Sequence, residues 1–124
     1  MGARRKKKPR KFTHGHRRGL ERAADHYLRD CYRRKKPARG KDFAQSLDRT
    51  PEYVSWLAAQ TLGESLIVFL RRKQVEYAAR LLRRTPLSID DIAERSGFGT
   101  RSAMHRWFVK VHGIGPAAFR EREK

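Results

Sequence analysis

Near the end of the chain, Arg101, Ser102, His105, Arg106 and Lys110 fall within a single stretch of ten residues. If that stretch is helical, the direction opposite Met104, Phe108 and Val111 is taken by Ser102, Arg106 and Val109, with Arg101, His105 and Lys110 on the flanks. A guanidinium fork presented this way matches the O6 and N7 acceptors of a guanine edge, which makes Arg106 the leading base-reading candidate. Ser102, His105 and Arg101 are placed to read neighbouring base edges, and Arg101 and Lys110 to hold phosphates. A second segment, Pro51 to about Thr61, turns Glu52, Ser55 and Trp56 outward, yet residues 51–70 contain no Lys or Arg. A carboxylate at Glu52 is repelled by phosphates unless it accepts from a cytosine N4 amine. Trp56 fits thymine methyls or sugars, and equally a protein-binding patch. Cations for this half must come from its neighbours, Arg39, Lys41 and Arg49 before it and Arg71 and Arg72 after it, as phosphate contacts.

Other chemistry finds little support. The single cysteine, Cys31, lies on an apolar stripe and reads as a small core residue; it excludes an intrachain disulfide framework and a multi-thiolate zinc site. His14 and His16 stand in a basic leader, no paired carboxylates sit in an apolar setting, and no glycine-rich phosphate cradle appears. Neither catalysis, a cofactor nor a metal is expected.

The elements that must position these side chains are all helical. Leu20, Ala23, Ala24, Tyr27, Leu28 and Cys31 recur at spacings of three and four, defining a helix that ends in the basic cluster before Pro37 and Gly40. A short helix over Lys41–Leu47 turns Phe43, Ala44 and Leu47 inward. Thr50-Pro51-Glu52 is a start signal, with Thr as N-cap and Pro at the first helical position, for a helix burying Val54, Leu57 and Ala58 and stopped by Gly63. Residues 65–84 form a long amphipathic segment. Ser88 with Asp91 opens another short helix, and Thr100 to Val111 forms a sixth that buries Met104, Trp107, Phe108 and Val111 before Gly113. Pro116 to Arg122 offers a seventh. No segment alternates as a strand does, so the fold class is all-α.

Two of these units repeat. Ala44/Ala93 and Asp48/Gly97 match at an offset of 49 residues, and Val54/Met104, Ala58/Phe108 and Gly63/Gly113 at 50, one residue having been added in the second turn. A small residue where two helices cross, then a sharp turn into a longer helix, is what a helix-turn-helix requires. The units lie at about 41–63 and 88–113, joined by a connecting helix at about 65–84. Charge supplies the partner class. The chain of 124 residues carries a formal net charge of +18, which calls for a polyanion. Residues 1–19 hold nine bases and no acid, among them Arg4, Arg5, Lys6, Lys7 and Lys8. This run is expected to be a disordered basic tail adding phosphate contacts, with the folded domain over 20–124. The longest uninterrupted apolar run, Leu66 to Leu70, is only five residues, so no membrane span is expected, and with no apolar leader the expected setting is intracellular. Double-stranded DNA read in two successive major grooves is the leading expectation. The alternative is a non-specific, charge-driven architectural DNA- or RNA-binding protein.

The densest motif, Ser88-Ile89-Asp90-Asp91-Ile92-Ala93-Glu94-Arg95-Ser96-Gly97-Phe98 followed by Ser102, Arg106, Phe108, Gly113, Pro116 and Phe119-Arg120, resembles the second helix-turn-helix of the AraC/XylS transcription regulators. Ala44, Thr50-Pro51, Tyr53, Leu57 and Gly63 resemble the first, and Ala78 with Leu81-Leu82 the connecting helix, so the likeness covers about 20–122. It implies two helix-turn-helix subdomains, sequence-specific DNA binding, and activation through RNA polymerase contact by a bacterial, cytoplasmic, nucleoid-associated protein. The connecting segment Leu66 to Arg84, roughly 28 Å at about 1.5 Å per residue against about 34 Å between successive major grooves, leads to the expectation of a monomer on an asymmetric site. Three positions depart from the pattern: Asp48 stands where glycine is usual, Ala58 where a Phe is usual, and Gln74 where the connecting helix commonly has Arg.

Overall fold

A computed structural model describes residues 14–124, which form seven helices and, among the described residues, no strand. They are α1 (His14–Arg34), α2 (Gly40–Ser46), α3 (Pro51–Leu62), α4 (Leu66–Arg84), α5 (Ile89–Arg95), α6 (Arg101–His112) and α7 (Pro116–Arg122). The expected tail therefore divides. Residues 1–13, with Arg4, Arg5, Lys6, Lys7 and Lys8, lie outside the described residues, while 14–19 are helical and continue α1 toward the N-terminus. An i,i+4 contact from Arg17 Nε to Glu21 at 3.4 Å ties that added turn to the next.

Hydroxyl caps set the helix starts. The side chains of Thr50, Ser65, Ser88 and Thr100 accept from the backbone N–H groups of Tyr53, Val68, Asp91 and Ala103 at 3.0–3.2 Å, each worth about 1 kcal/mol. Gly63 and Gly113 end α3 and α6 in the left-handed region, at φ 74° and 81°. The two tight turns solve the same problem with different residues. Gly97 turns the second unit at φ 78°, whereas Asp48 turns the first at φ 58° with a side chain attached.

Packing divides at α4. Its first half joins Leu20, Tyr27, Leu28, Phe43, Val54 and Ala58 in one core through Leu66, Phe69 and Leu70. From Val75 onward, Ala78, Ala79 and Leu82 join Ile92, Phe98, Met104, Phe108 and Phe119 in a second core. Ala44 and Ala93, the repeated alanines, are both buried, on short helices that pack against α3 and α6 respectively. Cys31 is wholly buried in the first core, and that burial pushes its thiol pKa up.

One inward position differs from the expected pattern. Val111 is 41% exposed, and His112 takes its place, with its ring 4.7 Å from that of Phe108 and 4.9 Å from that of Phe119. The cause is α7. It folds back with Phe119 fully buried, so the inner ridge of α6 runs straight along Met104, Phe108 and His112 at i,i+4 spacing, and Val111 falls beside it.

Candidate nucleic-acid interface

On α6, Arg101, Ser102, His105, Arg106 and Lys110 all reach the surface, together with Val109 at 37% exposure. They do not stand equally ready. Arg101 Nε lies 3.5 Å from Asp90 Oδ1, an exposed pair that screening leaves weak. The Lys110 ammonium sits 4.9 Å from the centre of the Trp107 ring, which directs it along the helix side. His105 lies across the turn into α7: a Cβ built on Gly115 would stand 2.6 Å from its Cε1, so only glycine lets the imidazole rest there. Arg106 has no hydrogen bond or ion pair among the described residues. Its guanidinium fork is therefore uncommitted among the described residues.

The α3 surface is uncharged apart from one acid. Glu52 and Ser55 are exposed, and Trp56 is half-buried with its ring 5.9 Å from Tyr53. Arg49 stacks over the other ring of this pair, 5.5 Å from the centre of Tyr53. Arg39 and Lys41 stand exposed at the start of α2, held in place from behind: the Tyr27 hydroxyl accepts from the Arg39 backbone N–H at 3.0 Å and donates to its carbonyl at 3.2 Å. The cations proposed for the phosphates of this half are thus brought around the N-terminal ends of α2 and α3.

Arg71 and Arg72 are placed differently from free clamps. Arg72 pairs with Glu64 and lies over Phe69. Arg71 turns inward, its guanidinium donating to the Ala38 carbonyl at 2.9 Å and to Gln74 Oε1 at 2.6 Å. Gln74, completely buried, then donates through Nε2 to the Ser96 carbonyl at 2.9 Å, while the Ala38 N–H donates to the Gly97 carbonyl at 2.9 Å. These four bonds bind the loop before α2, the middle of α4 and the turn before α6 into one latch between the subdomains. Burial lowers the Arg71 pKa, the Tyr27 hydroxyl works against that shift, and the nearby Arg106 charge adds to it.

Sequence inspection did not single out Ala38, Ser96 or this use of Gln74. The available signal was Gln74 itself, an amide in the inward register between Leu70 and Ala78. Among the described residues no group of three His, Cys, Asp or Glu side chains is arranged to hold a metal, and no single helix is long and apolar enough to cross a membrane.

Against this geometry, comparison with known proteins is consistent. Residues 43–122 match the family model of a helix-turn-helix domain. A putative AraC-like transcription regulator of Streptomyces lividans is 34% identical over 88 residues, which are 68% of this chain and 29% of the relative. An HTH-type transcriptional regulator of Mycobacterium tuberculosis is 31% identical over 80 residues, 64% of this chain and 31% of its own length. The chain thus spans about three-tenths of the length of these relatives. Among solved structures, the C-terminal domain of AraT, a response regulator from Geobacillus stearothermophilus, is 30% identical with a TM-score of 0.70, covering 89% of this chain and 86% of that one. The DNA-binding domain of AdpA, a global transcriptional factor solved with a target DNA, is 22% identical with a TM-score of 0.72 over 83% of this chain and 90% of that one, and shares the fold.

Proposed function

This chain belongs to the AraC-type helix-turn-helix family, and we propose that it is a sequence-specific double-stranded-DNA-binding transcription regulator that places α3 and α6 in successive major grooves. The observation that carries the proposal is the pair of in-register helix-turn-helix units joined by α4 and by the latch at its centre. The connecting helix has 19 residues, roughly 28 Å at about 1.5 Å per residue, against roughly 34 Å between successive major grooves on one face of a duplex. The AdpA domain solved on a target DNA supports the same use of this fold.

Arg106 is the principal base reader, with Ser102, His105 and Arg101 beside it, and Glu52, Ser55 and Trp56 read the other groove. Lys110, Arg39, Lys41 and Arg49 hold phosphates, joined by Arg4, Arg5, Lys6, Lys7 and Lys8. The finer features of the proposal are a monomer on an asymmetric site, contact with RNA polymerase, no catalytic role, and action in the cytoplasm at the nucleoid. Selecting bound duplexes from a random pool tests the central statement. A consensus of about two helical turns is expected. Equal affinity for specific and random duplexes, with a steep salt slope, would give the function to sequence-blind charge instead.

A further inference from the structure

The outer side of α1 is unused by the reading above. The three acids of this helix are all engaged: Glu21 with Arg17 at 3.4 Å, Asp25 with Lys73 at 2.9 Å, and Asp30 with Arg33 and, at 3.3 Å, with Arg34. Arg18, Arg22 and Arg29 are exposed and have no partner among the described residues. At 100° per residue they fall on a single line, and His26 and Arg33, also exposed, widen it to a ridge of about 80°. From Arg18 to Arg33 the ridge is roughly 22 Å long at about 1.5 Å per residue. The opposite side of α1, carrying Leu20, Ala24, Tyr27, Leu28 and Cys31, is buried in the first core, where α1 packs on α2, α3 and α4. The ridge is therefore turned away from α2, α3 and α4.

Its chemistry selects the class of partner. Arginine serves protein interfaces as well as nucleic acid, but protein interfaces set it around aromatic or aliphatic anchors in desolvated pockets, and the ridge carries no such anchor. A row of guanidinium groups suits a line of phosphates, which duplex DNA presents at about one per 3.4 Å of axis on each strand. We propose that α1 carries a second, sequence-blind site for duplex DNA, so that one molecule seated on its recognition site through α3 and α6 holds another stretch of duplex on its far side. This rests on the DNA-binding function proposed above.

The test uses the full chain, with its basic N-terminal residues present throughout, and a variant carrying Arg18→Gln, Arg22→Gln and Arg29→Gln. Exposed Arg→Gln changes keep helix propensity and touch no core residue. Failure to enrich any duplex from a random pool would defeat the functional reading itself, before the ridge is tested. With an enriched site in hand, that duplex is immobilised and saturated with protein, and capture of a labelled random-sequence duplex is measured across salt concentrations. The natural chain is expected to capture it. The variant is expected to capture it about tenfold less well, with a salt slope smaller by about 2 to 3, while its affinity for the enriched site stays within about twofold. No capture by the natural chain, equal capture by both, or a parallel loss of site affinity in the variant would each overturn the proposal. So would displacement of the labelled duplex by polyglutamate at equal charge, which would assign the ridge to an acidic protein surface.

Discussion

At the level of single residues, what matters is which cations are already spent on the protein. Arg106 and Arg71 look equivalent in sequence, each an arginine beside an apolar stripe, but Arg71 donates to Ala38 and Gln74 and Arg106 to nothing described. Arg106→Ala should cost about 1–3 kcal/mol of binding and relax preference at one base pair, measured by titrating duplexes mutated position by position. Lys110→Ala should instead weaken all duplexes alike and lower the salt slope by about 1. Uniform loss with Arg106→Ala would remove it as a base reader. His112 carries a different signal. Burial, then the Arg122 and Arg83 charges, push its pKa below the usual histidine value, with Glu123 opposing. The folded domain thus prefers the neutral ring, and the unfolded chain takes the proton more readily. The stabilisation is full above pH of about 6.5 and is lost as pH falls through the folded value. Thermal unfolding followed against pH should show that loss, and His112→Phe, which keeps a ring against Phe108 and Phe119, should remove it. An unchanged pH dependence in the variant would place the acid sensitivity elsewhere.

Among the elements, boundaries were legible wherever capping chemistry marks them. Thr50-Pro51, Ser88, Thr100, Gly63 and Gly113 all stand where the helices begin or end. The start of α1 was not legible, because His14–Gly19 carries no apolar residue and two glycines; its helix is an extension of a segment anchored further on by Leu20 and Ala24. Val111 and His112 were exchanged because the periodicity of α6 alone does not contain the position of Phe119. The two turns give a paired expectation. At φ 58° Asp48 holds a conformation that costs a side-chain-bearing residue, so Asp48→Gly should be neutral to stabilising, by up to about 1 kcal/mol. Gly97→Ala should destabilise by more than about 1 kcal/mol, since φ is 78° and the new Cβ would lie 3.1 Å from Gln74 Nε2. Denaturant unfolding of both variants checks the pair, and a Gly97→Ala protein as stable as the parent would mean that the turn relaxes freely.

For the whole molecule, the question is whether the two halves act as one rigid reader. Their existence was readable from the repeat; their mutual fixation was not, because it depends on Ala38 meeting Gly97 and on Gln74 meeting Ser96, contacts between residues far apart in the chain. The departure from family pattern at Gln74 is central here. The buried amide is satisfied on both sides, accepting from Arg71 and donating to Ser96, so it ties the middle of α4 directly to the second subdomain and, through Arg71 and its bond to the Ala38 carbonyl, to the loop before α2. Gln74→Leu fits the apolar surroundings but leaves the buried Ser96 carbonyl without that donor and Arg71 with one acceptor fewer, at a cost of about 1–3 kcal/mol. Its effect on recognition should be distinct from its effect on stability. One base pair inserted between the two half-sites moves the second groove by about 3.4 Å along the axis and rotates it by about a tenth of a turn. A rigid reader should lose about tenfold or more in affinity, that is about 1.4 kcal/mol, because one recognition helix must give up its contacts. The Gln74→Leu protein should bind the parent site more weakly, yet lose less on insertion, since a loosened junction lets α3 follow its groove. Binding constants for both proteins on both sites, measured well below the melting transition, give the ratio directly. Equal penalties in the two proteins would mean that α4 alone sets the spacing and that the latch contributes only to stability.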